Sequence, residues 1–81
     1  MKTVELVKHM VQAMVDHPDE VKVDEIMGQH SCVLELTVNQ TDIGKVIGKR
    51  GVHAQALRTL IVAFGGKEKK RYVLEILEDR S

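Results

Sequence analysis

Val46-Ile47-Gly48-Lys49-Arg50-Gly51 is the stretch on which the reading of this chain turns. Two glycines stand three residues apart, with two cations between them. Ile43, Val46 and Ile47 predict a short helix over about 42–47, which Gly48 ends. Ala54, Leu57, Leu60, Ile61 and Phe64 recur at helical spacing and predict a longer helix over about 52–64, ended by Gly65-Gly66. Glycine reverses the chain without a Cβ penalty and leaves the backbone bare, so a sugar-phosphate chain can approach closely. The helix behind Gly51 starts with unpaired N–H groups and about half a positive charge, which suits a phosphate. Lys49 and Arg50 add charge at the tip. A tight helix–helix turn with two solvated cations fits the same pattern, and the loop alone leaves both readings open.

Outward from the loop, residues 3–16 place Val4, Val7, Met10, Val11, Met14 and Val15 on one helical stripe, stopped by Pro18. Residues 20–26 and 32–38 read as strands. Val21 and Val23 alternate with Lys22 and Asp24; Cys32, Leu34, Leu36 and Val38 alternate with Val33, Glu35 and Thr37. The short connection 27–31, with Gly28, makes them an antiparallel hairpin. Thr41 is the expected N-cap of the short helix. After a basic loop, residues 71–77 form a last strand so continuously apolar that both faces are expected to be covered over part of its length. The order α-β-β-α-α-β predicts an α+β fold of two layers, three helices on one face of a three-stranded sheet. A chain of 81 residues has room for one domain, 1–81.

The formal net charge is zero, but it is unevenly placed. Residues 43–71 hold eight basic side chains and one acidic; residues 1–42 hold three basic and eight acidic. A local basic footprint is what phosphate binding requires. Cys32 is the only cysteine, which rules out an internal disulfide and suits a reducing compartment. The N-terminus lacks a signal peptide's apolar run, and no stretch approaches the ~20 apolar residues of a membrane span. A soluble cytoplasmic protein without membrane insertion is expected.

Enzymatic readings fare poorly. Gly44 and Gly48 have three residues between them where a P-loop needs four, and Arg50 stands where its Mg²⁺-binding hydroxyl belongs. His9, His17, His30 and His53 form no i, i+4 pair, so no metal is expected. His53, beside the loop, is either a solvated helix-start residue or, when protonated, a phosphate contact. No catalytic residue and no cofactor are expected. Phe64 and Tyr72 are the only aromatics, too few for an RNA module that stacks bases on exposed rings.

Three stretches resemble the small bacterial single-KH-domain RNA-binding proteins of the KhpA family: Val15-Asp16-His17-Pro18-Asp19-Glu20-Val21; Asp42-Ile43-Gly44-Lys45-Val46-Ile47-Gly48-Lys49; and Ala56-Leu57-Arg58-Thr59 with Lys70-Arg71. The resemblance covers nearly the whole chain. It implies a type II KH-like fold with a mixed three-stranded sheet, the second and third strands parallel and the third at the sheet edge. It implies single-stranded RNA as the ligand, about four nucleotides held by the loop and an aliphatic groove. The candidate RNA-binding residues are Lys45, Val46, Ile47, Gly48, Lys49, Arg50, Gly51, Arg58, Lys70 and Arg71. Through the family it further implies an RNA chaperone in post-transcriptional regulation, with a role in cell-wall growth and cell length. A homodimer, or a heterodimer with a KhpB-type KH-containing protein, is the expected assembly, with Leu57 and Ile61 as candidate interface residues. The alternative is a dimerisation module of KH fold acting mainly as partner of a second RNA-binding protein. Val52 and His53 depart from the family's usual basic and larger aliphatic residues, and Gly65-Gly66 from its alanine-rich helix end.

Overall fold

Cys32, Leu34 and Leu36 are buried and alternate with the half-buried Ser31, Val33, Glu35 and Thr37, and that alternation marks the central strand of the sheet. The structure is a computed structural model and describes residues 2–78. Helix α1 (Thr3–Gln12) is followed by a single 3₁₀ turn at Pro18–Glu20, then by strands β1 (Lys22–Met27) and β2 (Ser31–Thr37). A second 3₁₀ turn (Gln40–Asp42) leads into α2 (Ile43–Ile47). The loop turn Lys49–Gly51 joins it to α3 (Val52–Glu68), and β3 (Arg71–Ile76) closes the described fold.

The sheet order is β1-β2-β3. β1 and β2 pair antiparallel, with Val23 opposite Leu36. β2 and β3 pair parallel, with Leu34 opposite Leu74, so β3 is an edge strand. A parallel pair needs a long crossover, here the unit from α2 to α3. Cys32, Leu34, Leu36, Tyr72 and Leu74 face the helices and meet Val7, Val11, Val46, Leu57 and Ile61 in one core. Full burial of each large aliphatic side chain stabilises the fold by about 1.5–3 kcal/mol. The fold is α+β, of the type II KH-like order α-β-β-α-α-β with a mixed sheet.

Several expectations are corrected. Helix α1 ends at Gln12, before Pro18 is reached. Ala13 N–H is shared between the carbonyls of His9 and Met10, each at 3.2 Å, and Met14 N–H closes a tighter turn on Val11 O at 2.9 Å. The N–H groups of Asp16 and His17, which would have continued the helix, go instead to the carboxylate of Asp42. The capping side chain before α2 belongs to Asn39: its Oδ1 accepts from Thr41 N–H at 2.9 Å and from Thr41 Oγ1 at 2.7 Å.

Gly65-Gly66 does not terminate α3. The helix runs on to Glu68 and stops at Lys69, a left-handed residue with φ of 58°. Gly65 is there for packing, since a Cβ at this position would lie 2.3 Å from the carbonyl oxygen of Lys70. Leu60, expected in the buried stripe, is 43% exposed. Strand β3 is covered on one face only: Tyr72 and Leu74 are buried while Arg71, Val73 and Glu75 are exposed. All three helices lie on one side of the sheet, and among the described residues no layer covers the other.

Candidate nucleic-acid interface

A helix of five residues such as α2 cannot hold itself together in water, because nucleation outweighs so few hydrogen bonds. It is anchored at its first turn by Asp42, which has no exposed surface. The carboxylate accepts the backbone N–H of Asp16 (3.2 Å) and of His17 (3.0 Å), and the ring Nδ1–H of His17 (3.0 Å). Burial pushes the Asp42 carboxyl up, but these donors outweigh it and hold its pKa below the ordinary carboxylate value. The bond to Asp42 raises the pKa of His17, against the opposing effect of burial. Lys45 Nζ lies 3.1 Å from Asp16 Oδ2 and 3.7 Å from Asp42 Oδ1. Its contact with Asp16 raises its pKa, so Lys45 is a charged member of an acidic cluster.

The loop itself is built on left-handed backbone. Gly48 has φ of 77°, Arg50 of 59° and Gly51 of 76°. Gly48 N–H caps α2 on Gly44 O at 2.8 Å, and Gly51 N–H closes the turn on Gly48 O at 3.0 Å. The two glycines differ. A Cβ at Gly48 would strike the ring of His53 at 2.6 Å, whereas a Cβ at Gly51 would meet no protein atom within 4 Å. The loop's outer surface at Gly51 is therefore bare backbone facing open space. Lys49 and Arg50 are exposed, and among the described residues neither is in an ion pair. Arg50 holds a conformation that costs a side-chain-bearing residue about 1–2 kcal/mol, strain of the kind that collects at functional sites. No side chain caps α3; the amide of Val52, its first residue, donates to the Lys49 carbonyl within the loop turn, and the positive end of the 17-residue helix dipole lies at the loop.

Two recesses follow α3 away from the loop. An open one of about 600 Å³ is lined by Arg50, Gly51, Val52, Gln55, Ala56, Arg58 and Thr59. A second of about 410 Å³ is lined by Val62, Gly66, Lys70, Arg71, Tyr72 and Val73. Gln55, Thr59, Val62 and Gly66 are spaced i, i+4, i+7 and i+11, so one side of α3 links the two. From Val52 to Gly66 that track is roughly 21 Å long at 1.5 Å per residue. Gly48, Lys49, Arg50, Gly51 and Arg58 thus gather at one end of the track, and Lys70 and Arg71 at the other.

The remaining candidates lie elsewhere. Val46 is fully buried, and Ile47 is half-buried beneath the loop. Lys45 turns to Asp16 and Asp42. Leu57 and Ile61, the candidate interface residues, are 4% and 1% exposed and sit in the core. Val52, Gln55, Ala56, Thr59, Val62 and Val73 also line the recesses, and none of the five helix residues among them is in the candidate set read from the sequence. The available signal was the recurrence of small or uncharged residues on the helix side away from Leu57 and Ile61.

Among the described residues no group of His, Cys, Asp and Glu is placed to hold a metal ion, and no helix is long and apolar enough to cross a membrane. The family model described as the KhpA/KhpB KH domain matches residues 4–76. The chain is 55% identical over 73 residues to the RNA-binding protein KhpA of Caldanaerobacter subterraneus subsp. tengcongensis, covering 90% of this chain and 97% of that one. It is 49% identical over 74 residues to the protein of the same name from Aquifex aeolicus, with 91% and 94% covered. For that of Borreliella burgdorferi the values are 48% over 75 residues, with 93% and 92% covered. No solved structure matches the chain.

Proposed function

The chain belongs to the KhpA/KhpB KH-domain family, and from that premise we propose that it grips about four nucleotides of single-stranded RNA along the track from Gly48 to Arg71. The carrying observation is the loop: bare backbone at Gly51, the positive dipole end of α3 with no side-chain cap, and Lys49 and Arg50 without ion-pair partners among the described residues. Phosphates sit against the loop and Arg58. Bases lie on the shallow aliphatic side of α3 over Ala56, Val62 and Gly66, and reach the outer edge of β3, which pairs with no further strand among the described residues. Tyr72 is buried and Phe64 packs against the core, so stacking on rings plays no part. The protein binds and does not catalyse.

One four-nucleotide site gives weak affinity, and pairing two domains raises it through effective concentration. The working unit is therefore a homodimer or a complex with a KhpB-type KH-containing protein, acting in the cytoplasm as an RNA chaperone in post-transcriptional regulation, with the family's bearing on cell-wall growth and cell length. The second reading, a dimerisation module, is favoured by the exposed Leu60 and Val62 on α3, 43% and 65% open.

Fluorescence anisotropy of short single-stranded RNA tests the first reading, with native protein and the Lys49→Asp/Arg50→Asp double variant at two salt concentrations. The folded variant is expected to bind at least about tenfold more weakly, with a shallower salt slope, since each lost phosphate contact removes about 0.7 from a single-strand slope. Equal binding by both proteins would leave the loop a turn and favour the assembly module.

A further inference from the structure

We propose that His53 is a positioning residue that sets the shape of the Gly48-Lys49-Arg50-Gly51 loop. The inference rests on the RNA-binding reading for its consequence, but not for its geometry. His53 lies in the first turn of α3, and its Nδ1 is 2.7 Å from the carbonyl oxygen of Lys45 in the last turn of α2. A carbonyl only accepts, so Nδ1 carries the proton and donates. In a continuing helix the amide four residues on would take that carbonyl. The reversal at Gly48 removes that amide, and the imidazole supplies the donor in its place.

The same ring packs against Gly48. A Cβ there would lie 2.6 Å from its Cγ, 2.8 Å from its Nδ1 and 2.9 Å from the His53 backbone nitrogen. Gly48 and His53 interlock, and only glycine fits. One side chain therefore ties the end of α2 to the start of α3, which are the two ends of the loop. Lys49 and Arg50 are presented in a fixed arrangement before RNA arrives, and binding need not order them. His53 acts through the loop and not by touching phosphate.

The test uses His53→Ala and His53→Asn, because the Asn amide nitrogen reaches about where the imidazole Nδ1 stands. Melting temperature, RNA anisotropy at two salt concentrations, and ¹⁵N order parameters of Lys49 and Arg50 are measured. In the native protein and His53→Asn those order parameters are expected near about 0.85, falling toward about 0.6 in His53→Ala. RNA affinity is expected to fall about fivefold in His53→Ala with an unchanged salt slope, and to return in His53→Asn. Unchanged order parameters and affinity in His53→Ala overturn the proposal. A reduced salt slope overturns it in favour of a direct phosphate contact. If His53→Ala does not fold, His53→Asn decides alone: near-native order parameters support the proposal, and native stability with a loosened loop overturns it. The order parameters are read without RNA, so failure of the RNA-binding reading is seen separately, as absence of binding by the native protein.

Discussion

Nδ1 of His17 lies 3.0 Å from Oδ2 of Asp42, a carboxylate without exposed surface. The contact joins the connection after α1 to the residue that opens α2, across 25 positions of sequence. It belongs to a wider set: the same carboxylate takes the amides of Asp16 and His17, and Lys45 bridges Asp16 and Asp42. The start of α2, which leads into the Gly48–Gly51 loop, is thereby fastened to the connection between α1 and β1.

This pair gives stability a pH dependence with a definite sign. The folded pKa of His17 is raised above its ordinary 6.5, so its contribution is full below about 6.5 and is lost as pH rises through the folded value. The folded pKa of Asp42 is lowered below its ordinary 3.8, so its contribution is present above about 3.8 and is lost as pH falls through the folded value. Melting temperature is expected to be highest between these limits. Half of the His17 ring is in solvent, so the decline above pH 6.5 should be a few degrees at most. His17→Gln should flatten that decline while leaving the acid limb; a melting profile in which native and variant decline in parallel would show the pair to be idle.

Adjacent glycines in α3 should respond oppositely to alanine. At Gly65 a Cβ would strike Lys70 O at 2.3 Å and Tyr72 Cδ2 at 3.1 Å, so Gly65→Ala is expected to cost about 1–3 kcal/mol. At Gly66 nothing lies within 4 Å and the backbone is helical, so Gly66→Ala is expected to gain about 0.5–1 kcal/mol. Urea unfolding of the two variants checks both signs.

Lys69 ends α3 at φ of 58°, and Lys70 N–H returns to Gly65 O at 2.9 Å, the bond of a helix stop that usually carries glycine. Lys69→Gly removes a left-handed strain of about 1–2 kcal/mol, against the ~0.5–1 kcal/mol that glycine's freedom costs in the unfolded chain. A net gain between zero and about 1.5 kcal/mol is expected in thermal or urea unfolding. A loss of stability would mean that the lysine side chain contributes to this end of the helix.

Ile61→Ala should act on folding before it acts on assembly. The side chain is 1% exposed within the core, and Ile→Ala in such a place costs about 2–5 kcal/mol. Chemical unfolding at several protein concentrations checks this. A loss that is independent of concentration is expected, and a native-like midpoint accompanied by dissociation would place Ile61 at an interface.

Much of the architecture could be read from local pattern. The alternation at Cys32, Leu34 and Leu36 marks a strand with one buried face, and Leu57 and Ile61 mark the inner side of α3. The two glycines and two cations marked the loop. Misreadings arose where a residue's partner is distant in sequence. Gly65-Gly66 resembles a helix stop, and only the approach of the Lys70 carbonyl shows that the missing side chain is what matters. Thr41 has cap chemistry, but Asn39 reaches the free amide first. Lys45 has the charge expected of a phosphate contact, yet Asp16 and Asp42 surround it.

The sequence by itself determined the order of elements, the side each strand and helix turns inward, and the place where bare backbone and positive charge coincide. Each of these follows from spacing along a few turns of chain, which local sterics and hydrophobic periodicity control. Only the tertiary structure decided which cations remain unpaired, which side of α3 lies open beside β3, and that a histidine donor replaces the amide lost at Gly48. Those properties depend on hydrogen bonds and close contacts between elements, and such partners are brought together by the packing of the helices on the sheet, which no local spacing records.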